Sequence, residues 1–104
     1  MAALFDFVTA REGARGLAYY TILMSGKNHA YGHYQGYDRV LANGDFVILD
    51  AAPDYRNYHV DISTTFPVGD RFSPRQKELY EIALAVHDAC LAAYRPGVTF
   101  GQVG

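Results

Sequence analysis

Cysteine is nearly missing from this sequence. Cys90 stands alone among 104 residues, so no internal disulfide can form, and a reducing compartment, the cytoplasm, is the expectation. Tryptophan is absent. Long apolar runs are missing too, and nothing approaches the ~20 residues that cross a bilayer. The start, MAALFDFVTAREGARG, has neither the basic leader nor the long apolar segment of a signal peptide. Lys and Arg number 9 against 11 Asp and Glu, for a formal net charge of -2. With no basic excess and no Lys/Arg run, nucleic acid and anionic membrane are set aside as partners. There is no internal repeat and no low-complexity tract. What is present is a chain that is 50% hydrophobic and 19% charged, with 9 tyrosines. That composition folds, and the length allows one small domain.

Along the chain, residues 1–10 read as helical or frayed. LAYYTILMS, residues 17–25, is rich in aromatic and β-branched residues and reads as a strand. GKNHAYGHYQGY, residues 26–37, is a glycine-rich loop with two histidines, and ANGD, residues 42–45, is a turn. FVILD, residues 46–50, does not alternate and reads as a strand buried on both faces. After a turn at DYRNY, where Asn57 suits a left-handed position, a return strand is expected over residues 58–66. Tyr58, Val60 and Ile62 share one of its faces; His59, Asp61 and Ser63 share the other. A helix follows, with Ser73 as N-cap, Pro74 at its first position and Gln76 completing a capping box. Leu79, Ile82, Ala83, Val86, Cys90 and Ala93 recur at helical spacing and predict its buried stripe. Arg95 suits the helix C-terminus, and Pro96-Gly97 ends it. The tail VTFGQVG reads as the entrance to a further helix, so the chain is expected to be cut from something longer.

Two aspartates pose the chemical question. A hairpin turning about Arg56-Asn57 sets Asp61 opposite Ala52, one diagonal step from Asp50. Opposed and diagonal residues share a sheet face, so Asp50 and Asp61 project together. Like charges on a largely buried surface destabilise each other unless something compensates. A divalent cation does so, and paired carboxylates are the usual oxygen ligands of two-metal hydrolytic sites. The structural alternative has Asp50 capping the turn and Asp61 paired with Arg56 or Arg71. Spacing alone leaves both readings open.

The ordered motifs go further. The loop ending in His33-Tyr34, the turn Asn43-Gly44-Asp45, the strand ending in Asp50-Ala51-Ala52, the segment Asp61-Ile62-Ser63-Thr64-Thr65-Phe66-Pro67, and the helix carrying Gln76 and Tyr80 resemble the M24 metallopeptidases. The likeness is to their aminopeptidase P and prolidase branch, and it covers roughly residues 13–97. The resemblance implies an α+β fold, the first half of a pita-bread domain, with an antiparallel sheet and a covering helix. The whole of residues 1–104 would then be a partial M24 catalytic domain. It implies that Asp50 and Asp61 are two of five metal ligands and that His33 contacts substrate beside the scissile bond. It implies two divalent ions in the intact parent, typically manganese, with cobalt or zinc as substitutes. The activity implied is hydrolysis of a peptide with proline after its N-terminal residue. Two positions depart from the pattern: Ala52 stands where the family has glycine, and Thr64 where it has arginine. The remaining ligands, a histidine and two glutamates, and the general base lie downstream in the family, so the chain alone is expected to be inactive.

Other residues carry plainer expectations. His29 is a loop residue that shapes the pocket. His59 is either a support for Asp61 or a partly exposed strand residue. His87 and Cys90 are core or edge residues of the helix, and Cys90 has no activating neighbour. One of Tyr19 and Tyr20 packs in the core. Asp38-Arg39 is a solvated loop pair, and Arg75, Lys77 and Glu78 form a solvated helix face. A non-catalytic pita-bread homologue that binds partners, and a small interaction module with structural aspartates, are the competing functions. Loss of a domain half exposes strand edge and apolar face, so a homo-oligomer, a twofold dimer, is expected.

Overall fold

The computed structural model describes all of residues 1–104. The chain divides into two compact units, Met1–Arg71 and Phe72–Gly104. No helix is long and apolar enough to cross a membrane.

The first unit opens with helix α1, Ala2–Arg11. Its exit is a Schellman motif: Gly13 N–H donates to Ala10 O and Ala14 N–H to Thr9 O, both at 3.0 Å. Gly13 takes the positive φ of 98° that this stop requires. Strand β1, Gly16–Leu17, and strand β2, Ile22–Ser25, follow. The expected single strand over residues 17–25 is thus broken, because Ala18 leaves β2's line to donate its N–H to Ala52 O at 2.9 Å. A 3-10 turn covers Gly26–Ala30, and strand β3, Phe46–Asp50, matches its expected bounds. Strand β4, Pro53–Asp54, pairs antiparallel with β1. Strand β5, Ser63–Pro67, completes a three-stranded antiparallel sheet of order β2-β3-β5.

The register is the one that a turn at Arg56-Asn57 dictates. Asp50 pairs with Ser63, Val47 with Phe66, and Tyr55 bridges Tyr58. Arg56 and Asn57 both have positive φ, 54° and 68°, the pattern of the tight turn that suits hairpin twist. The return strand is shorter than expected: residues 59–62 lie outside any strand. Pro53 and Asp54 bond to β1 instead of to them, so the ladder opens across the middle of the hairpin. Tyr58, Val60 and Ile62, expected to share one face of that strand, are exposed. The core of the chain is small: Ile22, Val47, Ala51 and Ala52 are its buried apolar residues. Of β3 only Val47 is fully buried, so the expectation of a strand buried on both faces does not hold in this chain.

A polar clamp closes the base of the long loop between β2 and β3. Arg39 Nη2 donates to Asp45 Oδ1 at 2.9 Å and Nη1 to Ser25 Oγ at 2.8 Å; Nη1 also bonds Asp45 Oδ2. Ala42 N–H adds a bond of 2.7 Å to the same carboxylate. A side chain on Gly26 would meet the Arg39 guanidinium at 2.9 Å, so glycine is what lets the cation lie against the backbone. The end of β2, the middle of the loop and the start of β3 are thereby tied together. The expected solvated pair is not there: Asp38 accepts from Tyr34 Oη, and Arg39 belongs to this clamp.

In the second unit, helix α2 spans Pro74–Ala93 with the full capping box at Ser73 and Gln76. Helix α3, Phe100–Val103, has a matching box at Thr99 and Gln102, so the tail is a helix start as expected. The apolar stripe of α2 is not buried here: Leu79, Ile82 and Val86 are exposed. His87 is exposed beside Asp88, and Cys90 is half-buried, its thiol near Val103 O. The Arg75–Glu78 and Lys77–Glu81 pairs form the solvated face.

The clamp has a pH signature. Hydrogen bonding to Arg39, and then to the Ala42 N–H, holds the Asp45 carboxyl below its ordinary value. A depressed folded value means the contribution is fully present above the unfolded value of about 3.9 and fades as pH falls through the folded one. Asp45→Asn is expected to lower the melting temperature at neutral pH and to leave the variant and the parent equally stable once the parent's carboxylate is protonated. Thermal melts followed by circular dichroism across the acid range check this; a difference independent of pH would contradict it.

Candidate functional site: a paired carboxylate cleft

Asp50 is the last residue of β3, carried there by the apolar run before it, and its ladder partner on the other side is Ile22 of β2. Ile22 is buried and lies on the same sheet face as Asp50, so a hydrocarbon floor sits beside the carboxylate. Asp61 lies in the open part of the hairpin, outside any strand. Both nevertheless converge on one group. Tyr19 Oη donates toward Asp50 Oδ1 at 2.5 Å and lies 3.1 Å from Asp61 Oδ1. The two carboxylate oxygens are therefore no farther apart than two hydrogen bonds.

Tyr19, Tyr20, Ile22, His33, Asp50 and Asp61 line a cleft of about 220 Å3. All three residues singled out from sequence are thus brought to one place. His33 arrives from the long loop with a positive φ of 57°, a costly backbone state for a non-glycine residue. The residues that follow it are held by two phenols. Tyr34 Oη bonds Asp38, and Tyr37 Oη bonds Thr21 O. Neither aspartate is engaged with Arg56 or Arg71; the ion pairs of this region are Arg15–Asp54 and Arg39–Asp45, and His59 Nε2 lies 3.6 Å from Asp54 Oδ1. The purely structural reading of the aspartates therefore loses its partners.

Several expectations change at this point. Tyr19, expected as a core candidate, is the residue that joins the two carboxylates, and Tyr20 is exposed; neither is core. His59 supports Asp54, at 3.6 Å, rather than Asp61. His29 turns toward Met24 O at 3.2 Å and does not line the cleft. Ala52 is fully buried, so the methyl that replaces the family's glycine packs in the core and leaves the cleft open. The fit to a cation is partial. Two hard oxygen donors face one open cleft, as a divalent ion of the manganese or magnesium type requires, while no cluster of three or more His, Cys, Asp or Glu forms anywhere in the chain.

Burial, then the hydrogen bonds to Asp50 and Asp61, push the Tyr19 phenol well above the ordinary tyrosine value. In an ultraviolet pH titration Tyr19 is expected among the last tyrosines to ionise. The Asp50→Asn/Asp61→Asn double variant should bring one phenol back toward the ordinary range. An unchanged titration curve in that variant would show that the two carboxylates do not hold the hydroxyl.

Comparison with known proteins gives the family. The sequence profile of metallopeptidase family M24 matches residues 1–104. The chain is 40% identical over 93 residues to the Xaa-Pro aminopeptidase of Escherichia coli K12, covering 89% of this chain and 21% of the relative. It is 30% identical over 103 residues to Xaa-Pro aminopeptidase 3 of Dictyostelium discoideum, covering 99% and 20%. It thus spans about a fifth of the length of these relatives. Among solved structures it superposes on the X-Pro aminopeptidase of Thermotoga maritima with a TM-score of 0.91 at 33% identity, covering 98% of this chain and 29% of that one. Against the aminopeptidase P of Escherichia coli the TM-score is 0.91 at 37% identity, with 97% and 23% covered. The fold is accordingly α+β, the part of the pita-bread domain that the sequence motifs implied. On these grounds the chain belongs to metallopeptidase family M24.

Proposed function

We propose that this chain is a segment of a metal-dependent aminopeptidase that cleaves peptides with proline after the N-terminal residue. The observation that carries the reading is the convergence of Asp50 and Asp61 on Tyr19 Oη in a cleft that His33 also lines. Asp50 and Asp61 are two of the metal ligands. Tyr19 holds the two carboxylates side by side and aims their remaining lone pairs into the cleft. Two divalent ions, manganese by the family's habit with cobalt or zinc as substitutes, would there acidify a water and polarise the scissile carbonyl. His33, offered to the cleft from a loop held by Tyr34 and Tyr37 just after it, contacts the substrate near the bond to be cut. The apolar floor at Ile22 keeps that end of the cleft dry, which strengthens every charge interaction above it. A cytoplasmic location belongs to the same proposal and rests on the lone Cys90. The non-catalytic alternative has no comparable support, since both carboxylates are present and both face the cleft.

A graft tests the proposal. Residues of this chain replace the matching 93-residue stretch of the Escherichia coli relative, and hydrolysis of an Xaa-Pro peptide is measured. The graft is expected to turn over. Asp61→Asn within it should cost more than the ~100-fold that loss of a ligand's hydrogen-bond partner costs. The isolated 104-residue chain, with two donors only, is expected to show no chelator-sensitive turnover. A folded graft whose activity is indifferent to Asp61→Asn would overturn the assignment.

A further inference from the structure

The loop that carries His33 holds an uncommon shape over a few residues. His33 and Tyr37 both have positive φ, 57° and 50°, a region that side-chain-bearing residues enter at a cost. Between them the backbone runs against a ring, since a side chain on Gly36 would collide with the Tyr34 phenol. Tyr34 Oη is in turn bonded to Asp38. These contacts lie within the loop and shape the turn. Tyr37 makes the contact that reaches out of it: its hydroxyl donates to Thr21 O, 16 residues back in the chain.

Thr21 stands between Tyr20 and Ile22, which both line the cleft, and directly precedes β2. It is 2% exposed, so water has little access to its carbonyl and the phenol supplies the donor. Partial burial, then the charge of Asp6, raises the Tyr37 phenol above its ordinary value, so the hydroxyl keeps its proton at neutral pH. The bond joins two sides of the cleft. On one side is His33, which precedes Tyr37 in the same turn. On the other are Tyr20, Ile22 and, through the Ile22 pairing, Asp50. All of these residues lie in the Met1–Arg71 unit.

We propose that Tyr37 is a positioning residue for His33: its hydroxyl, anchored on the Thr21 carbonyl, sets where the imidazole stands relative to Asp50 and Asp61. Tyr37 does not line the cleft and acts through His33. Without the bond, the costly backbone of His33 is free to relax and the ring leaves its place. The inference rests on the reading of His33 as the group that contacts substrate, and it adds the side chain that puts His33 there.

Tyr37→Phe removes the hydroxyl and keeps the ring. In the graft described above it is expected to lower kcat on the order of tenfold, because a small misplacement of a contact beside the reacting bond is costly, and to change KM little. With His33→Ala already in place, Tyr37→Phe should cost nothing further. A merely structural role would cost the same in both backgrounds. A second readout needs no turnover. The 4 histidines of the 104-residue chain are followed by carbon–proton NMR of their rings, each assigned by substitution. Tyr37→Phe should move the His33 resonance toward that of a free histidine and leave those of His59 and His87 in place. A graft that does not turn over counts against the peptidase reading, and the ring spectrum then decides the inference by itself. Equal losses of kcat in both backgrounds, or a His33 resonance that Tyr37→Phe leaves unmoved, would overturn it.

Discussion

The hydroxyl of Tyr19, shared between Asp50 and Asp61, is the interaction on which the site depends. Two carboxylates this close repel each other, and the repulsion grows as water is withdrawn. A phenol can donate to one and sit within reach of the other. That removes part of the penalty without neutralising either charge, so both carboxylates stay available. An arginine in the same place would have formed a closed ion pair and consumed their lone pairs. The chain uses its arginines elsewhere: Arg39 secures Asp45 at the base of the loop, and Arg15 reaches Asp54 beside the hairpin turn.

The surrounding fold keeps that three-residue contact in place. β3 is the central strand of its sheet, bonded on both edges, which fixes Asp50. Asp61 has the opposite setting. Pro53 and Asp54 pair with β1, and Asp61 lies outside any strand, beside Ile62, whose carbonyl still accepts from Ala51 N–H. Tyr19 lies in the bend between β1 and β2, the two strands that flank these events. The clamp at Arg39 and Asp45 performs the same service for the loop that carries His33. It closes the loop's base while Tyr34 and Tyr37 fix its middle, and the unfavourable backbone of His33 persists because its surroundings leave it no alternative.

Much of this was legible in the residues because it is local. The capping box at Ser73, the turn at Arg56-Asn57 and the register it imposes on β3 and β5 each depend on a few adjacent side chains. Tyr19 was not legible. Its contacts span 31 and 42 positions, and nothing in the pattern of a strand distinguishes a tyrosine bound for the core from one bound for a carboxylate. Arg39 escaped for a related reason: beside Asp38 it looked like half of a surface pair, while its partner was six residues on. Burial was the other gap. The periodicity of Leu79, Ile82 and Val86, and the alternation of Val60 and Ile62, mark faces suited to burial; they do not say what covers them. In this chain those faces are open.

The central claim is that Asp50 and Asp61 act as one pair of cation ligands. Manganese binding to the isolated chain, followed by the loss of the free ion's electron paramagnetic resonance signal, tests it most directly. The claim predicts weak binding at one kind of site that is lost in Asp50→Asn and equally in Asp61→Asn, and that survives Asp54→Asn. Binding that is unchanged in either cleft variant would contradict it.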